Sequence, residues 1–501
     1  MAVDGILSMW NNMGKLPLFI FFRDSRNVLK KDELGIEIAN IGLPATFALM
    51  ADPIASLIDT SFIGRIGAVE LASVGVSVAI FNQVSRITML PLVSITTSFV
   101  AEEEATSKYS TEAEDDENVR SNHDMGQEMV PLTGNSDMKI AKSEDNRRHV
   151  PSASSALLIG CMLGILQTLF LISTAKPLLH YMGVKPESPM LKIAQQYLTL
   201  RSLGAPAILL SLAAQGVFRG LKDTKTPFYA IIIGDSANIL LDPIFIFTLR
   251  LGVNGAAIAH VVSQYLIFLV LIWRLVENVI LLPPIFKELQ LGRFLKSGFQ
   301  LLVKVISTTS CITLATSLVA RLGPKPMAAF QVCLQIWMAT SLLADGLAVA
   351  GQAILASAFA RKDYEKTVAA ASRVLQIGLL LGLLLSFFLA AVSRFASTLF
   401  TKDFDVLNLM NISFPFIAVT QPINALAFVF DGVNYGASDF AYSAYSMVGV
   451  AVMSISCLFI LSSSHGYIGI WIALTIFMCL RVFAGLLRIG TGMGPWTFLW
   501  S

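Results

Sequence analysis

Charge is what this chain has least of. Only 14% of its 501 residues are Asp, Glu, Lys or Arg, against roughly a quarter in an ordinary soluble domain, so water is not the main solvent of its surface. A net charge of +2, with its basic residues in short connections, leaves no footprint for nucleic acid. Histidine is scarce, with five in all. The five cysteines, Cys161, Cys311, Cys333, Cys457 and Cys479, stand in apolar segments without metal-ligand or redox spacing, so they read as small hydrophobes and no metal is expected. Phosphate-loop, His-Glu-x-x-His and nucleophile-elbow motifs are missing as well. No enzyme is expected, therefore, no catalytic residue or cofactor is assigned, and any transport is to be driven by an ion gradient. Residues 1–31 lack the apolar core and cleavage site of a secretory signal; the stretch 16–22, broken by Pro17, reads as interfacial.

What the chain has in abundance is apolar length. Mean hydropathy is +0.68, and twelve windows can each cross about 30 Å of hydrocarbon as a helix: 36–60, 73–99, 153–174, 193–214, 227–249, 254–276, 298–320, 328–352, 371–392, 405–430, 439–461 and 466–488. Continuous runs of this length exclude a transmembrane barrel, whose strands are short and alternate. The expected fold is all-α, with twelve transmembrane helices in the bilayer. Its parts are a cytoplasmic segment 1–35, a first six-helix lobe 36–276, a linker 277–297, a second lobe 298–488 and a cytoplasmic, flexible tail 489–501. Most of the 36 Lys and Arg fall on one side when both termini are placed in the cytoplasm. Residues 101–150 hold 13 of the 34 acidic residues and read as a disordered cytoplasmic loop, either a plain solvated insertion or a tether for a regulatory partner.

Short internal echoes suggest a repeat. Phe218-Arg219-Gly220 stands opposite Phe430-Asp431-Gly432, at an offset of 212. Gly252-Val253-Asn254-Gly255 is echoed by Gly466-Tyr467-Ile468-Gly469, and Arg65-Ile66-Gly67 by Arg321-Leu322-Gly323. Two parallel six-helix lobes could open a central site to one side and then the other by rocking.

Ionisable groups inside spans are costly and mark function. Asp235, Asn238 and Asp242 run i, i+3, i+7 on one stripe of the fifth span, and Asp59 ends the first. Asp59, Asn238 and Asp242 form the expected proton-coupling group, with Asp235, His260 and Asp345 as accessories. Asp52-Pro53 and Asp242-Pro243 each join a carboxylate to a potential kink. Arg86, Lys304 and Arg481 suggest an anion-attracting cavity, with Gln331 and Gln335 able to hydrogen-bond its occupant; ion pairing between helices is the alternative for the cations.

These residues resemble the multidrug and toxic compound extrusion (MATE) family over nearly the whole chain. The matching stretches are Asp59-Thr60-Ser61-Phe62-Ile63-Gly64, Glu70-Leu71-Ala72, Gly75-Val76-Ser77, the run from Phe218 to Pro227, Asn238-Ile239-Leu240-Leu241-Asp242-Pro243, and the run from Asp345 to Gln352. The resemblance implies the MATE-type fold and secondary transport. Asp59, Asn238 and Asp242 match the pattern tied to proton coupling in the DinF-type branch, and the acidic insertion is similar to that of plant members exporting citrate at the plasma membrane. The implied activity is proton-coupled antiport of citrate or a related organic anion by a monomer. Export of cationic drugs or metabolites, lipid-linked sugar flipping, and a receptor or scaffold acting through residues 101–150 are the alternatives.

Overall fold

The computed structural model describes residues 28, 30–124, 148–182, 184–281, 290–400 and 404–499; the stretch 16–22 lies outside them. In the first half, α1 (Glu33–Gly64), α2 (Ala68–Asp124), α3 (Pro151–Tyr181), α4 (Pro189–Ser202), α5 (Ala205–Gly220), α6 (Lys225–Pro243) and α7 (Val253–Asn278) follow one another. The second half holds α8 (Leu291–Arg321), α9 (Pro324–Ala360), α10 (Tyr364–Phe400), α11 (Phe404–Val419), α12 (Gln421–Gly436) and α13 (Phe440–Gly490). Nine of these helices are long and apolar enough to cross a membrane, and the bent pairs α4–α5 and α11–α12, each read as one span, make eleven. The 51-residue α13 is two helices joined at Gly466, which has φ 56°. At about 1.5 Å per residue, α13 is twice too long for one crossing, so it accounts for the last two of the twelve expected windows. Leu57, Leu166 and Phe387, at 72%, 63% and 78% exposure, belong to apolar surface that only lipid can cover.

The bends arise at proline. Pro206 and Pro422 sit in the first turn of α5 and α12, where the missing N–H is harmless but the preceding helix cannot continue. Each bend is packed the same way. A Cβ on Gly164 of α3 would meet Pro206 Cα at 2.5 Å, and one on Gly382 of α10 would meet Pro422 Cα at 2.4 Å. Small residues permit such backbone contacts where no hydrophobic force draws helices together. Gly216 and Gly220 of α5 press on α2, and Gly432 and Gly436 of α12 press on α9. Past the helix ends, Lys222 and Ser438 repeat a positive φ, and Asp223 and Asp439 repeat a hydrogen bond back to Phe218 and Asn434. The repeat is real, but here its register differs by one helical turn from the short motifs: Arg219 corresponds to Tyr435, and Gln215 to Asp431. The Gly252 and Gly466 echo holds as read, with φ 57° and 56°.

Three connections carry secondary structure that was not expected. Residues 101–124 continue α2 as helix. A span has already met the nucleation cost, and an Ala- and Glu-rich run without Gly or Pro extends it. Residues 125–147 lie outside the described residues. The linker 277–297 is shorter than expected: α7 reaches Asn278, Val279–Ile280 pairs in parallel with Arg148–His149, and α8 starts at Leu291. The tail is ordered as far as Leu499, because Gly494–Leu499 forms a 3-10 turn that buries Trp496 completely against Phe359.

The lobes are joined at one face. Ile38 and Ile41 of α1 are buried with the core of the second lobe. Gln352 Nε2 donates to Ser94 O at 2.6 Å, and Ser98 Oγ to Tyr435 O at 2.7 Å. Ion pairs Asp32–Arg373 and Glu102–Arg293 cross the seam, while Glu37 takes Lys222 at 2.5 Å and Lys366 of the other lobe at 3.2 Å. Hydrogen bonding to Arg373 holds the Asp32 carboxyl down at about 2. Its contribution is therefore full above the ordinary 3.8 and lost only as pH falls through about 2. The seam is tightest at Gly346, where a Cβ would lie 1.9 Å from Thr46 Oγ1 and 2.8 Å from Thr46 Cα. Gly346→Val therefore pushes backbone from backbone, and the overpacking costs about 1–3 kcal/mol. Spin labels on the exposed Lys225 and Glu365, one in each lobe, should move apart in this variant; an unchanged distance distribution would refute the wedge.

Candidate functional site

Two polar centres lie within the spans. In the first lobe, Asp59 Oδ1 accepts from Asn238 Nδ2 at 2.7 Å, and Asn238 Oδ1 accepts from Ser263 Oγ at 3.4 Å. Asp242, 1% exposed, lies beside Asp59, and neither of its oxygens has a hydrogen-bond partner among the described residues. Two carboxyl groups in contact satisfy each other only when one carries a proton. Helix α6 supplies both Asn238 and Asp242 on its buried stripe, with Asp235 two turns back. After Pro243 the backbone loosens into a π-turn, Ile244–Thr248. At Pro53, by contrast, α1 runs on as helix. His260 Nε2 and Asp235 Oδ2 are buried without a hydrogen-bond partner among the described residues.

Arg201, passed over in the sequence, belongs to this centre. Its guanidinium donates to the Tyr197 hydroxyl at 3.1 Å and covers the Phe81 ring at 5.3 Å. Its charge acts on Asp52, Asp59, Asp242 and His260. The signal was available, since an arginine within window 193–214 is as anomalous as Arg86.

The second centre is a cavity of about 540 Å³ between the lobes. Its ionisable lining is Arg86 of α2, Arg219 of α5, Lys304 of α8, Asp345 of α9, Asp431 of α12 and Arg481 of α13. Asp431 Oδ1 lies 2.7 Å from Lys304 Nζ, and its Oδ2 lies 2.9 Å from Arg481 Nη2. Lys304 also donates to the Tyr435 hydroxyl at 2.6 Å, and Arg481 stacks over Phe428 at 5.1 Å. Arg86 and Lys304 thus share one cavity, as their charge suggested, but the second-lobe cations are already held by Asp431. Gln331 and Gln335 are not brought to it. Both are exposed; they lie nearer the start of α9 than Trp337, the first residue of that helix to line the cavity. Sequence reading missed Arg219 and the counterion role of Asp431, although the repeat motifs had drawn attention to both positions.

Comparison with known proteins places this architecture. The MatE family model matches residues 143–244 and 301–460. Protein DETOXIFICATION 42 of Arabidopsis thaliana is 60% identical over 97% of both chains, and Protein DETOXIFICATION 43 of the same plant is 55% identical over 97% of this chain and 96% of its own. A solved MOP superfamily transporter from Pyrococcus furiosus superposes with a TM-score of 0.75 at 20% identity, covering 95% of this chain and 98% of its own, and so shares the fold. The chain is a member of the MATE family, a polytopic secondary transporter of the efflux type and not an enzyme.

Proposed function

We propose that this transporter exports citrate or a related organic anion in exchange for protons by alternating access. In this reading it works as a monomer in the plasma membrane, with both termini and the joined face of the lobes in the cytoplasm, so that the conformer described here faces outward. The observation that carries the reading is the charge of the central cavity, where Arg86, Arg219, Lys304 and Arg481 outnumber Asp345 and Asp431. Dehydrating a tricarboxylate is prohibitive without positive charge nearby, while a lipophilic cation gains nothing from that surplus. The volume is within the usual range of about 300–1,000 Å³ for small-molecule sites. Asp59, Asn238 and Asp242 supply the proton leg, in keeping with the DinF-type pattern. Exchange of an entering proton for a leaving anion moves charge in the sense that an inside-negative membrane favours.

The test is radiolabelled citrate efflux from proteoliposomes with independently varied pH and sodium gradients, alongside a cationic dye. Citrate flux should follow the proton gradient and ignore sodium. Dye extrusion without citrate flux would replace the reading with cation export, and flux that follows sodium alone would remove protons from it.

A further inference from the structure

The cavity cations are not equivalent. Lys304 and Arg481 both pair with Asp431 within the second lobe. Arg219, 8% exposed, has no carboxylate within ion-pair distance among the described residues; its side-chain hydrogen bond is a long one, 3.5 Å, to Gln215 Oε1. Arg86, in the same lining, has neither an ion pair nor a hydrogen bond among the described residues. Both come from the first lobe, on α2 and α5. Arg86 is exposed and Arg219 buried; a buried guanidinium without a counterion is costly, and the planar fork of either suits a carboxylate in two parallel hydrogen bonds. Asp345 lines the same cavity as Arg219, and its charge reaches Arg219 as well as Lys304 and Arg481. Asp345 belongs to the other lobe, and it too has no ion pair or hydrogen bond among the described residues.

Resting on the anion-export reading, we propose that Arg219 is the primary carboxylate receptor of the cavity, with Arg86 as a second receptor and Asp345 as the counterion of Arg219 in the empty carrier. The favoured substrates are organic anions with at least two carboxylates, one for each guanidinium. An arriving carboxylate displaces the field of Asp345 at Arg219. When the substrate leaves, Asp345 takes over again, and its attraction across the lobes helps the unloaded protein to return. Substrate and Asp345 thus alternate as partners of one guanidinium.

Asp345→Asn separates these roles. Without its competitor, citrate should bind several-fold more tightly, as read by isothermal titration of the purified protein. Net citrate efflux should fall, because the empty carrier returns poorly, while citrate–citrate exchange, which needs no empty return, should keep a larger share of its rate. Arg219→Gln should raise the citrate KM at least tenfold, and Arg219→Lys should recover part of the loss; mono-carboxylates should distinguish wild type from Arg86→Gln far less than citrate does. Unchanged binding in Asp345→Asn, or equal loss of net efflux and exchange, would overturn the counterion role even if the arginine variants fold poorly. Wild-type KM in Arg219→Gln would overturn the receptor while leaving citrate export standing. An unmodified protein that neither binds nor moves citrate would remove both.

Discussion

Asp431→Asn should lower the stability of the folded transporter by about 3–5 kcal/mol, the usual cost of removing one partner from a buried ion pair. Two cations depend on this carboxylate. Lys304 is 3% exposed and Arg481 8%, and they approach its two oxygens at 2.7 and 2.9 Å. Without the charge they become a buried like-charged pair, and Lys304 keeps only the neutral Tyr435 hydroxyl. Lys304→Met should cost less, because Arg481 and Asp431 still neutralise each other. The measurement is the thermal unfolding midpoint in detergent, followed by intrinsic fluorescence, with Asp431→Glu as the charge-conserving control. A wild-type midpoint in Asp431→Asn would mean that the triad is not a structural centre. By the same geometry Lys304→Gln removes a cation and leaves Asp431 to Arg481 alone, so its effect on anion transport has two sources.

Asp59→Asn and Asp242→Asn should each cut proton-driven flux by roughly 5- to 150-fold, the span of a coupling free energy of about 1–3 kcal/mol, while leaving membrane insertion intact. Asn can still hydrogen-bond, so the network through Asn238 to Ser263 survives in outline, but the substituted side chain can no longer gain or lose a proton. Substrate binding in the other cavity should be less affected than flux. Flux is to be recorded over a series of imposed pH gradients and normalised to inserted protein. If both variants keep the wild-type gradient dependence, coupling moves to Asp235 or His260, each with one buried polar atom that lacks a partner among the described residues.

The span plan was legible because lipid imposes it: every backbone polar group must be satisfied inside a helix, so apolar length reports helices directly. The carboxylates were legible for a related reason, since a charge in hydrocarbon is conspicuous wherever it stands. Partners were not. Nothing local tells Lys304 that it will meet Asp431, because that contact is set by how α8, α12 and α13 pack. Arg219 stood five residues beyond window 193–214 and read as a connection, yet α5 carries it inside, at 8% exposure. The breaks before Pro206 and Pro422 were written in the sequence but were hidden by the frequency of proline in membrane helices. Residues 101–124 were not read as helix because composition describes a chain in isolation, whereas this run begins on a helix that the bilayer has already formed.

The glycine contacts that recur in both lobes also bear on ancestry. A duplicated six-helix unit can keep backbone-to-backbone fits, such as Gly164 on Pro206 and Gly382 on Pro422, only while no side chain intrudes, so drift at those positions is penalised in each copy. The cavity-facing positions on the same helices carry no such constraint. Gln215 and Arg219 in one copy stand where Asp431 and Tyr435 stand in the other, and the two copies have parted there in charge without parting in shape. Scaffold and cargo preference are inherited through different atoms. A descendant of this duplication can acquire a new solute by exchanging a few side chains on α5 and α12, and the moving parts need not be reinvented.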